Sequence, residues 1–180
     1  MRTGTSAPIA LALLAPLLVS AHAVEPSPDL GTAEAGCRPA EAGPAVIVSV
    51  EGLKDRRGIL RLELYPPDDA DFLADDAKLV NAGRTFRRLD VPVPPAGPVR
   101  LCMRLPEPGT WALVLLHDRD SNLKFNGLID GAGFAGNPRL GLSRPKAEAA
   151  RFVAGPELTR LTIRLNYWRG FSFGPLRKTH

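Results

Sequence analysis

A chain of 180 residues with 44% hydrophobic and 23% charged residues has the composition of one globular domain, which excludes wholesale disorder and a polytopic membrane protein. The 23 Lys and Arg exceed the 19 Asp and Glu by a net +4, spread along the chain and not massed in a run. With aromatics at 6%, neither a basic face nor a stacking platform for nucleic acid is expected.

Residues 1–23 read as an export signal. Arg2 supplies the positive start, Ile9 to Val19 is apolar apart from Pro16, and Ala21-His22-Ala23 has the small-x-small form of a cleavage site. The run is too short to span a bilayer, so no membrane span is expected after cleavage. The expected location is outside the cytoplasm, in the periplasm or the medium. Residues 24–44 carry Pro, Gly, Ala and acidic residues without apolar period and read as a flexible tail. Ala35-Gly36-Cys37 resembles the end of a lipobox, but Glu34 stands where an aliphatic residue is wanted. In an oxidising compartment Cys37 is instead expected to pair with Cys102. Closing a loop of about 65 residues would contribute about 4 kcal/mol by chain entropy.

Ala45 to Glu51 is a β-branched run of strand length. Lys54 to Gly58 reads as a turn, and Ile59 to Tyr65 alternates, with Leu60, Leu62 and Leu64 inward and Arg61 and Glu63 outward. These two strands are expected to form a hairpin. Pro66 to Lys78 places five aspartates around Phe72 and Leu73, a solvated loop with one helical turn between Asp71 and Leu79. Thr85 to Val93 reads as a third strand with Phe86 inside, followed by four prolines between Pro92 and Pro98 that mark a turn or edge. Val99 to Leu105 alternates and puts Cys102 on the outer face.

Thr110 to His117 is continuously apolar, as in a strand covered on both sides. A polar, Gly-rich stretch follows from Asp118 to Pro145, then a short strand over Ala147–Val153. Leu158 to Trp168 alternates again, with Leu161, Ile163, Leu165 and Tyr167 inward. The tail 169–180 keeps Phe171 and Phe173 to cover an open edge, and with Trp168 they form a candidate interaction patch. About seven strands with short turns predict an all-β fold: one antiparallel two-layer sandwich over residues 45–168, with a barrel as the alternative.

The segment from His117 to Asp130 carries the chemistry. Asp118, Asp120 and Asn122 stand at i, i+2 and i+4, with Asn126 and Asp130 beyond. Alternate oxygen-bearing side chains in a tight loop are what a hard cation needs, so Ca²⁺ is the one candidate cofactor. The match to an EF-hand loop is partial, because Leu123 and Ile129 occupy the positions of its glycine and bidentate glutamate. The competing reading is that these side chains bond backbone amides and hold a long loop in shape.

The strand ending Trp-Ala-Leu-Val-Leu-Leu-His-Asp, the Asp-x-Asn and Asn-Gly-x-x-Asp that follow, and Gly136-Asn137-Pro138 running on to Gly141-Leu142-Ser143 resemble a family of exported bacterial proteins classed as a domain of unknown function, family 2141. Val50-Glu51-Gly52-Leu53 with Gly58 resembles that family's start, so the likeness covers residues 45–168. Asp120 replaces the family's commoner Asn, and Leu123-Lys124-Phe125-Asn126 spreads its Asn-Gly apart. The resemblance implies an immunoglobulin-like or transthyretin-like sandwich outside the cytoplasm, and it carries no activity with it.

His117, Gly127, Gly141 and Ser143 are read as loop-organising. A hydrolase would need His117 beside Ser143 or Ser121 and an aspartate, yet no nucleophile-elbow motif surrounds either serine. Zinc lacks a second well-placed histidine. The expectation is therefore a non-catalytic binding or structural module of the cell envelope that takes an envelope component or a small ligand, with a hydrolase built on His117 as the alternative.

Overall fold

The computed structural model describes Met1 and residues 30–176. Residues 2–29, which hold the proposed signal apart from Met1, and the last four residues lie outside them. Three strands, β1 (Ala45–Glu51), β4 (Val99–Arg104) and β8 (Leu158–Arg164), form a small sheet in the order β4-β1-β8. The larger sheet holds β2 (Ile59–Tyr65), β3 (Arg87–Pro92), β5 (Gly109–Asp118), β6 (Gly131–Phe134), β9 (Asn166–Trp168) and β10 (Phe173–Pro175), in the order β10-β9-β6-β5-β2-β3. A further strand, β7 (Arg151–Ala154), pairs with the first half of β5, whose second half pairs with β6. The described residues thus form an all-β two-sheet sandwich, with one short helix among them, α1 (Asp76–Asn81), and a 3₁₀ turn at Ala147–Ala150.

The expected β1–β2 hairpin does not form. β1 pairs with β4 and β8, whereas β2 pairs with β3 and β5. Val46 and Val48 on one strand and Leu60, Leu62 and Leu64 on the other are fully buried in one core. Both apolar faces look inward, so the strands oppose each other across the sandwich instead of lying side by side. Gly52 and Gly58, both at φ +74°, let the connection change layers. The small sheet also departs from the antiparallel expectation, because β1 and β8 run parallel with Val48 opposite Leu161. Parallel neighbours need a long crossover, and nearly the whole larger sheet separates these two in sequence.

Leu60, Leu62, Leu64, Leu113 and Leu115 meet Met103, Ile163, Leu165 and Tyr167 in the centre. Truncating Leu62 to Ala there would cost about 2–5 kcal/mol. β5 is apolar on both faces because a second core lies on the other side of its sheet: Ala112 and Val114 join Tyr65, Phe72, Leu79, Phe86 and Phe134. The acidic loop with α1 covers part of that outer face, and the segment from Leu140 to Ala150 covers another.

Three elements depart from their sequence reading. The segment read as a strand over Ala147–Val153 begins as the 3₁₀ turn Ala147–Ala150 and becomes strand only at Arg151. β6 lies inside the stretch read as polar loop; its residues Gly-Ala-Gly-Phe carry no β-branched signal. A Cβ on Gly131 would overlap the Tyr167 ring, and one on Gly133 would strike Ile163 and the Arg164 carbonyl, so glycine there is what allows close packing. The predicted Leu158–Trp168 strand divides at Leu165, its first part joining the small sheet and its second part the large one.

The tail predicted to be flexible is pinned over residues 30–44. Cys37 is bonded to Cys102, Ala35 is fully buried, Arg104 N–H donates to the Ala35 carbonyl and Glu41 pairs with Arg104. At the other end, Phe173–Pro175 of the predicted tail forms the edge strand β10 against β9.

Candidate functional site

β5 delivers Asp118 to the end of the larger sheet, and β6 takes the chain back after Asp130. Both carboxylates are buried, at 5% and 1% exposure. Oxygens of Asp118, Asp120 and Asp130 converge within 4.8 Å of one another. Asp118 accepts from the Asn122 and Leu123 N–H groups, and Asp130 from those of Arg119 and Asn126. Those bonds hold the loop, and each oxygen keeps a second lone pair directed elsewhere. Asn122 and Asn126 turn their carbonyls to the N–H groups of Lys124 and Leu128 and so cap local turns. Ser121 and Leu123 adopt left-handed backbone, which winds the loop tightly without the EF-hand glycine.

The electrostatics of this cluster are one-sided. Among the described residues none of the three carboxylates enters an ion pair. Arg119, the nearest cation in sequence, spends its guanidinium on Asp55 and the Ile129 carbonyl. Burial pushes the Asp118 carboxyl above its ordinary range, and the nearby Asp120 and Asp130 carboxylates add to the rise. Three acidic oxygens facing one another, with Arg61 and Arg119 near but paired to other carboxylates, form a site that could hold a hard divalent cation.

His117 is held at both ring nitrogens by groups of its own chain. Its ring is fully buried, with Nδ1 2.7 Å from Tyr167 Oη and Nε2 2.8 Å from the Arg57 carbonyl. The Lys54 N–H donates to the same Tyr167 oxygen. The network assigns one tautomer: Nε2–H donates to Arg57, and Tyr167 O–H donates to Nδ1. Burial pushes the imidazole pKa below its usual value, which keeps it neutral. Both nitrogens are committed, and neither Ser121 nor Ser143 is a partner. The ring clamps the layer-changing turn at Arg57 to β5 and β9.

The other expected residues are dispersed. Gly127 approaches Phe173 closely, whereas a Cβ on Gly141 would meet open space. Ser143 is exposed beside Arg144. Trp168 and Phe173 stack edge to face across β9 and β10, Phe125 leans on Phe173, and Phe171 stands alone at 93% exposure. The aromatic residues therefore divide: Phe171 projects into solvent, and Phe173 turns toward a groove on the sheet's outer face.

That outer face carries groups that alternation assigned to solvent. Arg61 and Glu63 are buried, at 6% and 5% exposure. Arg61 makes a two-pronged pair with Asp90, and Arg88 bridges Glu63 and Asp76 while Tyr65 donates to Glu63. No buried side-chain N or O among the described residues lacks a hydrogen-bond partner. The acidic loop above is similarly satisfied: Asp68 and Asp71 pair with Arg84, Asp69 accepts from Ala147 N–H, and Asp75 caps α1. A strand reading on β2 alone cannot see this cover, because the covering loop comes from later in the chain.

No curated protein and no solved structure matches the chain. A model of a protein family described as an uncharacterized protein conserved in bacteria (DUF2141) matches residues 48–162, from the middle of β1 to β8. The match covers more than half of the 180 residues and takes in both sheets and the Asp118–Asp130 loop, so the chain belongs to this bacterial family of uncharacterised proteins.

Proposed function

We propose that the chain is a non-catalytic binding or structural module of the bacterial cell envelope, exported by its N-terminal signal, with Ca²⁺ held in the Asp118–Asp130 loop. The observation that carries this reading is the convergence of Asp118, Asp120 and Asp130 with no cation paired to any of them among the described residues. Asp118 and Asp130 are buried and Asp120 is exposed; buried like charges destabilise a fold unless protonated or countered, and a divalent ion would counter the buried pair together with Asp120. The Cys37–Cys102 bond supports an oxidising location. Commitment of both His117 nitrogens to Tyr167 and Arg57 weighs against a hydrolase.

The test is thermal unfolding of the oxidised protein with Ca²⁺ and with chelator. Ca²⁺ at a hundred times its dissociation constant adds about 2.7 kcal/mol, a rise of roughly 5–10 °C for a domain of this size. Asp118→Asn and Asp130→Asn remove the rise. An unfolding midpoint indifferent to Ca²⁺ leaves the carboxylates as loop scaffolding and defeats the calcium reading.

A further inference from the structure

The outer face of the larger sheet is covered from both sides but not closed. Between the α1 loop, the Asp118–Asp130 loop and the segment from Leu140 to Pro145 runs a groove of about 460 Å³. Its walls are almost wholly apolar, with Leu73, Val114, Leu116, Phe134, Leu140 and Phe173 as the main contributors. A second compartment of about 640 Å³ shares Glu63, Leu116 and Phe125 with it and is lined by Arg61, Arg88 and Lys124 with Asp75 and Asp76. Sites for small ligands commonly have this size and this division between an apolar body and a few polar groups.

The charges of the apolar compartment point to the sign of its occupant. Two ionisable side chains line it, Glu63 and Arg144. Glu63 is neutralised by Arg88 and accepts from the Tyr65 hydroxyl, so it has nothing to offer a ligand cation. Arg144 is exposed at the mouth and enters no ion pair among the described residues; its one hydrogen bond is to the Phe72 carbonyl. A guanidinium has five N–H donors in a fork that fits a carboxylate, so most of Arg144 is available. Leu142 at 78% and Phe125 at 49% exposure extend the apolar lining to the rim.

We infer that this groove binds a single-chain anionic amphiphile, a long-chain carboxylate, with its hydrocarbon along the outer face of β2, β5 and β6 and its carboxylate on Arg144. The inference rests on the reading of the chain as a binding module but not on the calcium loop.

The test is calorimetric titration of the full chain with dodecanoate and with dodecyltrimethylammonium, both below micelle concentration, in Ca²⁺ and in chelator. The expected result is saturable one-to-one binding of dodecanoate, about tenfold or more tighter than the cation, since a carboxylate accepts charge-assisted hydrogen bonds from Arg144 and an ammonium does not. Arg144→Gln removes that preference while leaving chain binding. Gly141 lines the groove and has room for a Cβ without left-handed backbone, so Gly141→Trp adds bulk at the groove wall. It lowers dodecanoate affinity about tenfold or more at an unchanged unfolding midpoint, a loss of about 1.4 kcal/mol or more. Absence of dodecanoate binding, equal binding of both amphiphiles, or binding untouched by Gly141→Trp overturns the inference. A Ca²⁺-dependent midpoint that survives such a failure leaves the module reading standing without this ligand.

Discussion

Two aspartate-rich loops rim the same end of the chain's chemistry, and they solve the same electrostatic problem in opposite ways. In the loop from Asp68 to Asp76 each carboxylate is answered locally: Arg84 takes Asp68 and Asp71, Arg88 takes Asp76, and backbone N–H groups take Asp69 and Asp75. In the loop from Asp118 to Asp130 backbone amides are the partners, and the three carboxylates face one another with no cation paired to them among the described residues. Acidic composition therefore does not mark a cation site. Convergence of the oxygens is what sets the second loop apart from the first, and it depends on where β5 and β6 set down the loop's two ends.

The largest effect should come from upsetting the satisfied side of the comparison. Arg88→Met strips the buried Glu63 and half-buried Asp76 carboxylates of their shared partner, and removing one member of a buried ionic network costs about 3–5 kcal/mol. Urea unfolding of the variant checks this. A loss below about 1 kcal/mol would mean that the network is not the stabilising feature it resembles.

Next in size is the selectivity of the Ca²⁺ increment. The rise in unfolding midpoint disappears in Asp118→Asn and Asp130→Asn but persists in Asp68→Asn and Asp71→Asn. An increment sensitive to the Asp68 loop would reverse the comparison.

The pH dependence sharpens the same contrast. Asp118 has a folded pKa raised above the ordinary 3.8 by burial and by Asp120. Without Ca²⁺ its contribution favours the fold below pH 3.8 and is lost as pH rises through the folded value. The Ca²⁺ increment should therefore widen as pH rises, measured by chemical unfolding in Ca²⁺ and in chelator across the mildly acidic range. His117 acts in the other direction. Its pKa is depressed by burial, so its contribution is complete above the ordinary 6.5 and is lost as pH falls from there through the folded value. Replacing it with Gln flattens that part of the profile.

The smallest effect belongs to Phe171, whose ring is 93% exposed and belongs to neither core. Phe171→Ser should shift stability by no more than about 0.5 kcal/mol.

How much of this was legible in the chain follows from the range of each interaction. Strand β5 announced its double burial through an unbroken apolar run, and β4 announced its faces and the outward Cys102 by alternation. The pairing of Cys37 with Cys102 follows from reading residues 1–23 as an export signal and from an even cysteine count. Arg61 and Glu63 were misread because alternation reports only that a strand has two faces, and the cover over the second face comes from α1 and from the loops. The β1–β2 hairpin failed for a related reason: two apolar strands joined by a short turn can pair or can oppose each other across a core. Strand β6 was invisible because its glycines serve the packing of Tyr167 and Ile163, not their own strand propensity. Of the candidate site, the aspartate spacing was legible, but not which oxygens converge, and the groove lined by Arg144 left no local signature.

The most direct test of the central claim is calorimetric titration of Ca²⁺ into the chelator-stripped, oxidised full chain, beside Asp130→Asn. The account predicts one Ca²⁺ per chain for the unaltered protein and none for the variant. Absence of saturable heat, or a variant that binds as the parent does, would contradict it and return Asp118, Asp120 and Asp130 to the role of loop scaffolding.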